Sequence, residues 1–332
     1  MRYSYKVEQV ETVEKIAKAS DAVAAAQWGE RSSARMDPWP SKTPSVSNLV
    51  LDLGRSSWAW LHLLSLDAPL VAVLWQLLFT KALRVHLPPV VTLVTALAIW
   101  LIYVADRILD SYQEGETSEE ALRHQFYRAH RLAFLAPFFT VLLVTGWMAG
   151  ADLGFKTWRD GLLLATIVGG YFAVVHVLGG RARKWFPKEI AVAVLFGIGT
   201  FMPVSVRLQE LDFTFLLPFL LFLGVLWMNT LIIEYSEWVA LRGRATDRPH
   251  ESTIFAGQHL VALGMGVGIL ALCAMASGLF LLTRPILLAE ALSALALTLL
   301  AWKWRRISSY AVRVIADVAL LTPLLLLLFL RR

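Results

Sequence analysis

The sequence predicts an all-α, polytopic membrane protein, on three observations. Hydrophobic residues fill 57% of the 332 positions, charged residues only 17%, and mean hydropathy is +0.60, well away from ordinary soluble domains. After residue 60 long apolar runs recur, and a helix needs about 20 such residues to cross roughly 30 Å of hydrocarbon. The runs are continuous, as in LPFLLFLGVLWMNTLII, whereas the strands of a membrane barrel alternate apolar with polar positions.

Residues 1–60 form an extension ahead of the membrane domain. They lack the basic start and apolar core of a secretory signal. Val7, Val10, Val13, Ile16, Ala17, Ala24 and Trp28 recur at helical spacing, which predicts a short amphipathic helix that lies on the membrane or docks on a membrane-protein partner. A weakly ordered extension fits the same residues. DPWPSKTPSVS then reads as a Pro and Ser linker.

Residues 61–332 carry nine apolar runs. The first, 66–83, opens on Asp67, and the second, 87–105, runs into Asp106 and Asp110. The third and fourth cover 132–150 and 161–178, the latter with His176 inside it. Lys188 and Glu189 open the fifth, 189–206, and Asn229, Glu234 and Glu237 close the sixth, 213–233. The seventh, 258–283, holds Cys273 and the pair Gly264 and Gly268, whose small size permits close helix approach inside the monomer. The eighth is 285–302, and the ninth, 312–330, begins at Arg313 and Asp317, which at a spacing of four are expected to pair.

Orientation follows from Lys and Arg in the connections. The loops after runs two, four, six and eight carry four, four, three and four of them, against eight in all on the opposite side. The N-terminus is therefore expected in the cytoplasm and the C-terminal Arg331 and Arg332 outside, as in a bacterial inner membrane. The net charge of +6 then reflects a basic face toward anionic lipid, with no nucleic-acid partner. A lone cysteine excludes a disulfide framework. No Walker loop, HExxH, GxSxG or CxxCH supports an ATPase, zinc peptidase, serine hydrolase or haem protein.

The polar residues gather at the cytoplasmic ends of five runs, as a binding cavity open to that side requires. Asp106 and Asp110 share a helix face, with Glu114 a further four residues along. Two carboxylates suit magnesium, which takes one or two of them together with water and phosphate oxygens, so a diphosphate is the natural partner. Solvated acids, or acids paired with Arg107, would look the same. Glu234 and Glu237, three apart with Asn229 about a turn earlier, offer a second metal position, or else an exposed helix end beside Arg242 and Arg244.

With these two clusters the domain resembles the UbiA superfamily of intramembrane prenyltransferases over residues 63–330. In that family acidic motifs after the second and sixth helices, approximately NDxxDxxxD and DxxxDxxD, bind magnesium and the diphosphate of a polyprenyl donor. SLDAPLVAVLWQLLF resembles a family first helix, and WFPKEIAVAVLFGIGT puts Lys188 at a position where members often carry a base. The match is divergent. Ala105 replaces Asn, Asp110 lies four rather than three residues beyond Asp106, Glu234 and Glu237 replace aspartates, and Leu241 occupies an acid position. RHQFYRAHR stands where members commonly carry an RP pair.

The resemblance implies a nine-helix UbiA-like bundle and transfer of a prenyl group from a polyprenyl diphosphate to a lipophilic acceptor. It implies catalytic and Mg2+-binding roles for Asp106, Asp110, Glu234 and Glu237, and substrate contacts from Lys188, Arg123, Arg128, Asn229 and Tyr103. Trp75, Trp100, Tyr171, Phe172 and Trp227 are further rings that could shelter an allylic cation, or simply pack. The altered motifs equally suit a catalytically lapsed UbiA-like subunit with a lipid-binding or assembly role in a membrane complex.

Overall fold

The computed structural model describes residues 64–110, 131–178, 187–208, 213–240 and 249–329, so the extension over 1–60 lies outside the described residues. Regular structure within them is helical throughout. In chain order the α-helices are α1 (Asp67–Ala82), α2 (Pro89–Asp110), α3 (Arg131–Asp152), α4 (Phe155–Leu178), α5 (Lys188–Ser205), α6 (Phe213–Ala240), α7 (Glu251–Gln258), α8 (Leu260–Ala276), α9 (Arg284–Lys303), α10 (Ser309–Ala319) and α11 (Thr322–Phe329).

Seven spans are long and apolar enough to cross a membrane, with α10 and α11 counted as one, and α7 with α8 makes an eighth if that bent pair is one span. This is an integral membrane protein. Three of the nine expected spans differ in form. The first is the 16-residue α1, about 24 Å long at 1.5 Å per residue. Left-handed residues bracket it, Ser65 at φ 58° and Arg84 at φ 54°, so the helix cannot be extended smoothly at either end. The seventh, 258–283, is helical only over the 17-residue α8, which ends at Ala276, and α7 meets its start at 75° across His259. His250 caps α7 by accepting from the Ser252 amide at 3.2 Å, and α7 packs on α6.

The ninth run is also interrupted. Pro323 has no N–H for the Ala319 carbonyl and crowds it, so α10 ends at Ala319 and α11 starts at Thr322. The Trp75 indole N–H donates to the Leu320 carbonyl at this break, at 2.9 Å. Burial of that polar group is thereby compensated.

The core gathers around α1, α5, α6 and α9. Trp75, Phe79 and Phe222 are fully buried, with Trp75 and Phe222 ring centroids 4.6 Å apart and Phe79 5.1 Å from Phe201. Helices α8 and α9 pack closely, as do α5 with α6 and α1 with α2. Gly264 on α8 permits that approach: a β-carbon there would strike Thr298 on α9 and Met228 on α6. Gly264 thus serves packing inside the monomer, whereas Gly268 has only an ordinary contact with Ala294. Helices α3 and α4 bury little, and their exposed Phe139, Leu143, Trp147 and Leu163 are suited to lipid.

Candidate functional site

The end of α2 places Tyr103, Asp106 and Arg107 within one turn, where side chains three and four apart share a face. The first residue of α1, Asp67, is buried and takes its own helix's Ala68 amide at 3.0 Å. Asp317 comes from α10. Asp67, Asp106, Asp317 and Arg107 all lie close enough to Tyr103 to act on its phenol electrostatically. Consecutive helices α1 and α2 and the distant α10 therefore bring charged groups to one tyrosine.

Helix α6 joins this group through α10. Asn229 Nδ2 donates to Asp317 Oδ1 at 3.4 Å, and Asp67, Arg313 and Arg107 also act on Asp317. Arg313 Nε donates to Glu237 Oε1 at 3.0 Å, and a terminal guanidinium nitrogen of Arg313 donates to the same oxygen. Arg313 was expected to pair with Asp317. Arg313 does act on Asp317 one turn along, and its guanidinium also bonds Glu237 on the neighbouring helix.

A second polar group lies on α5, α6 and α7. Glu189 is buried, accepts from Thr253 Oγ1 at 3.1 Å, and lies within electrostatic range of Glu234 and Lys188. Its backbone carbonyl accepts from Thr230 Oγ1 at 3.2 Å. Glu234 and Glu237, treated together in the sequence, are thus connected to different partners. Glu234 faces Glu189, and Glu237 holds Arg313.

The expected site residues divide accordingly. Tyr103, Asp106, Asn229 and Glu237 belong to the group around Asp317, and Lys188 and Glu234 to the group around Glu189. Arg123, Arg128 and Glu114 lie outside the described residues, as does the Asp110 side chain. Among the expected rings, Trp75 is core, and Trp100 Nε1 donates to the Leu64 carbonyl at 3.0 Å, so both serve packing. His176 Nδ1 lies 3.0 Å from the Phe172 carbonyl of its own helix.

Sequence reasoning passed over Asp67, Asp317 and Arg313 as site residues because Asp67 stands alone at the start of its run and the spacing of Arg313 and Asp317 suggests only a pair with each other. It missed Glu290 entirely. That acid is fully buried in the middle of α9, and the signal was a lone carboxylate inside an apolar run.

The donor set can be tested against magnesium directly. Among the described residues no three His, Cys, Asp or Glu side chains form a group that could hold a metal ion. The group around Tyr103 and Asp317 has four carboxylates, Asp67, Asp106, Glu237 and Asp317, against two guanidiniums, Arg107 and Arg313. Carboxylates thus outnumber guanidiniums in this group, but they are not drawn together as a full ligand set, and any magnesium here would rest on one or two of them with water and phosphate oxygens. Glu237 fits least well, because a metal there would displace Arg313.

Fold and site together define an integral membrane protein with a net acidic, multi-helix polar site at one end of its bundle. A scan against protein-family models, a search of curated proteins and a search of solved structures each return no match for this chain.

Proposed function

We propose that the chain is a divergent UbiA-like intramembrane prenyltransferase. It moves a prenyl group from a polyprenyl diphosphate to a lipophilic acceptor, at a site on the cytoplasmic side of a bacterial inner membrane. The observation that carries this reading is the convergence of Asp67, Asp106 and Asp317 around Tyr103, with Asn229 bridging to α6. Ionisable groups gathered from several membrane helices are costly and mark ion or substrate sites.

Asp106, with Asp67 or Asp317, would hold Mg2+, which when bound supplies countercharge for a diphosphate leaving group. The chain's own residues supply the rest. Arg107 lies beside the acids, where its guanidinium can take phosphate oxygens bidentately. The Tyr103 hydroxyl would orient the same group, and Asn229 donates to Asp317. Lys188, at the start of α5, offers a further cation.

The ion pair between Arg313 and Glu237 favours a second reading. With one expected metal ligand already neutralised, the same cavity end would bind an isoprenoid phosphate without turnover, in a lipid-binding or assembly subunit.

The test is magnesium-dependent release of diphosphate from a prenyl diphosphate by the purified protein, set against Asp106→Ala and Asp317→Ala. Release that needs Mg2+ and falls at least about tenfold in both variants supports the enzyme. Donor binding without release supports the second reading. Neither binding nor release, in folded protein, overturns both.

A further inference from the structure

Glu290 lies on α9 away from the acidic site, and the proposed function does not use it. It is fully buried, and among the described residues neither carboxylate oxygen has a hydrogen-bond partner. An ionised carboxylate without a countercharge is among the most costly groups to place in a membrane interior. Such a group persists where something else completes it.

Its surroundings are built from oxygen. Thr322 Oγ1 donates to the carbonyl of Ala289, the residue beside Glu290, at 3.0 Å. The same hydroxyl lies 2.7 Å from Ser293 Oγ, and Ser293 is fully buried three residues after Glu290 on the same side of α9. Thr322 opens α11 immediately after the break that Pro323 imposes. Thr322 therefore brings the break between α10 and α11 against this stretch of α9. Unwound backbone at a helix break beside an intramembrane acid is an arrangement suited to coordinating an alkali cation.

We propose that Glu290, with the hydroxyls of Ser293 and Thr322 and the neighbouring Ala289 carbonyl, forms an intramembrane site for a monovalent alkali cation. The charge count selects that class. One carboxylate with neutral hydroxyl and carbonyl donors balances one positive charge, whereas a divalent ion would remain half uncompensated in an apolar core. Sulfur and nitrogen ligands are not part of the set, which excludes softer transition metals. The ion would tie α9 to the broken helix, so the site couples ion binding to the packing of the C-terminal third of the bundle.

Thermal unfolding of the full-length protein in detergent tests this, with sodium, potassium or choline chloride at equal ionic strength. Sodium or potassium is expected to raise the apparent Tm of the wild type by about 2 °C or more over choline. Glu290→Gln should remove that rise. Thr322→Val should weaken it, moving the half-maximal salt concentration upward by about tenfold, and it carries the test if Glu290→Gln does not fold. No difference between the alkali salts and choline in the wild type would overturn the site. So would an undiminished rise in Glu290→Gln, or, where that variant does not fold, in Thr322→Val. Either result would leave Glu290 as a neutral buried acid.

Discussion

Arg313 on α10 binds Glu237 on α6, a pairing between residues 76 positions apart, with two guanidinium nitrogens on one carboxylate oxygen. Both side chains are mostly shielded, at 19% and 17% exposure, so the pair is worth more than a surface ion pair. It joins the two helices at the level of the acidic site.

Breaking this pair should destabilise the protein. Removing one partner by Glu237→Gln or Arg313→Gln is expected to cost about 1–3 kcal/mol, because the remaining charge is left poorly solvated. The double variant should lose less than the sum of the two. Chemical or thermal unfolding of the four proteins as a double-mutant cycle reads this coupling, and strict additivity would mean that the contact contributes nothing.

Neutralising Asp67 should separate function from folding. Asp67→Asn keeps an oxygen to accept the Ala68 amide but removes one of the like charges acting on Asp317. Stability in the absence of ligand should hold or rise slightly, while the affinity for Mg2+, followed by isothermal titration, should fall at least about fivefold. Unchanged affinity would take Asp67 out of the site.

Two glycines on α8 should respond in opposite ways. Gly264→Ala drives a methyl group into Thr298 and Met228 and is expected to cost about 1–3 kcal/mol, whereas Gly266, with no atom near an added β-carbon, should accept alanine with no loss. Detergent melting curves of the two variants give the comparison directly. Equal behaviour would contradict the close approach of α8 to α9.

Trp75→Phe keeps most of the buried ring but leaves the Leu320 carbonyl without its indole donor at the helix break. A loss of about 1–3 kcal/mol is expected, and protection of amides around residues 317–324 should fall in hydrogen exchange. A stability loss with unchanged exchange there would assign the effect to ring packing alone.

Much of the fold was legible because membrane insertion imposes a local rule. Each span must be apolar along its whole length, so composition alone marks the run, and the observed helices fall within a few residues of the runs in most cases. The departures have local causes that hydropathy does not weigh. Left-handed Ser65 and Arg84 limit α1, the turn at His259 sets the short α7 across the start of the seventh run, and Pro323 splits the ninth.

The site was legible only in outline. Its level in the membrane followed from where Asp67, Asp106, Asn229, Glu237 and Asp317 stand in their runs, since charged groups are expelled to the ends of spanning helices. By itself, then, the sequence determined an all-helical membrane protein with acids collected at one end. Tertiary structure alone decided which of them meet: that Asp317 joins Asp67 and Asp106 around Tyr103, that Arg313 goes to Glu237, and that Glu290 is buried without a partner. The physical reason is that hydropathy fixes depth residue by residue, whereas the rotation of each helix about its own axis is set by packing against its neighbours, and that rotation chooses the partners of every polar group.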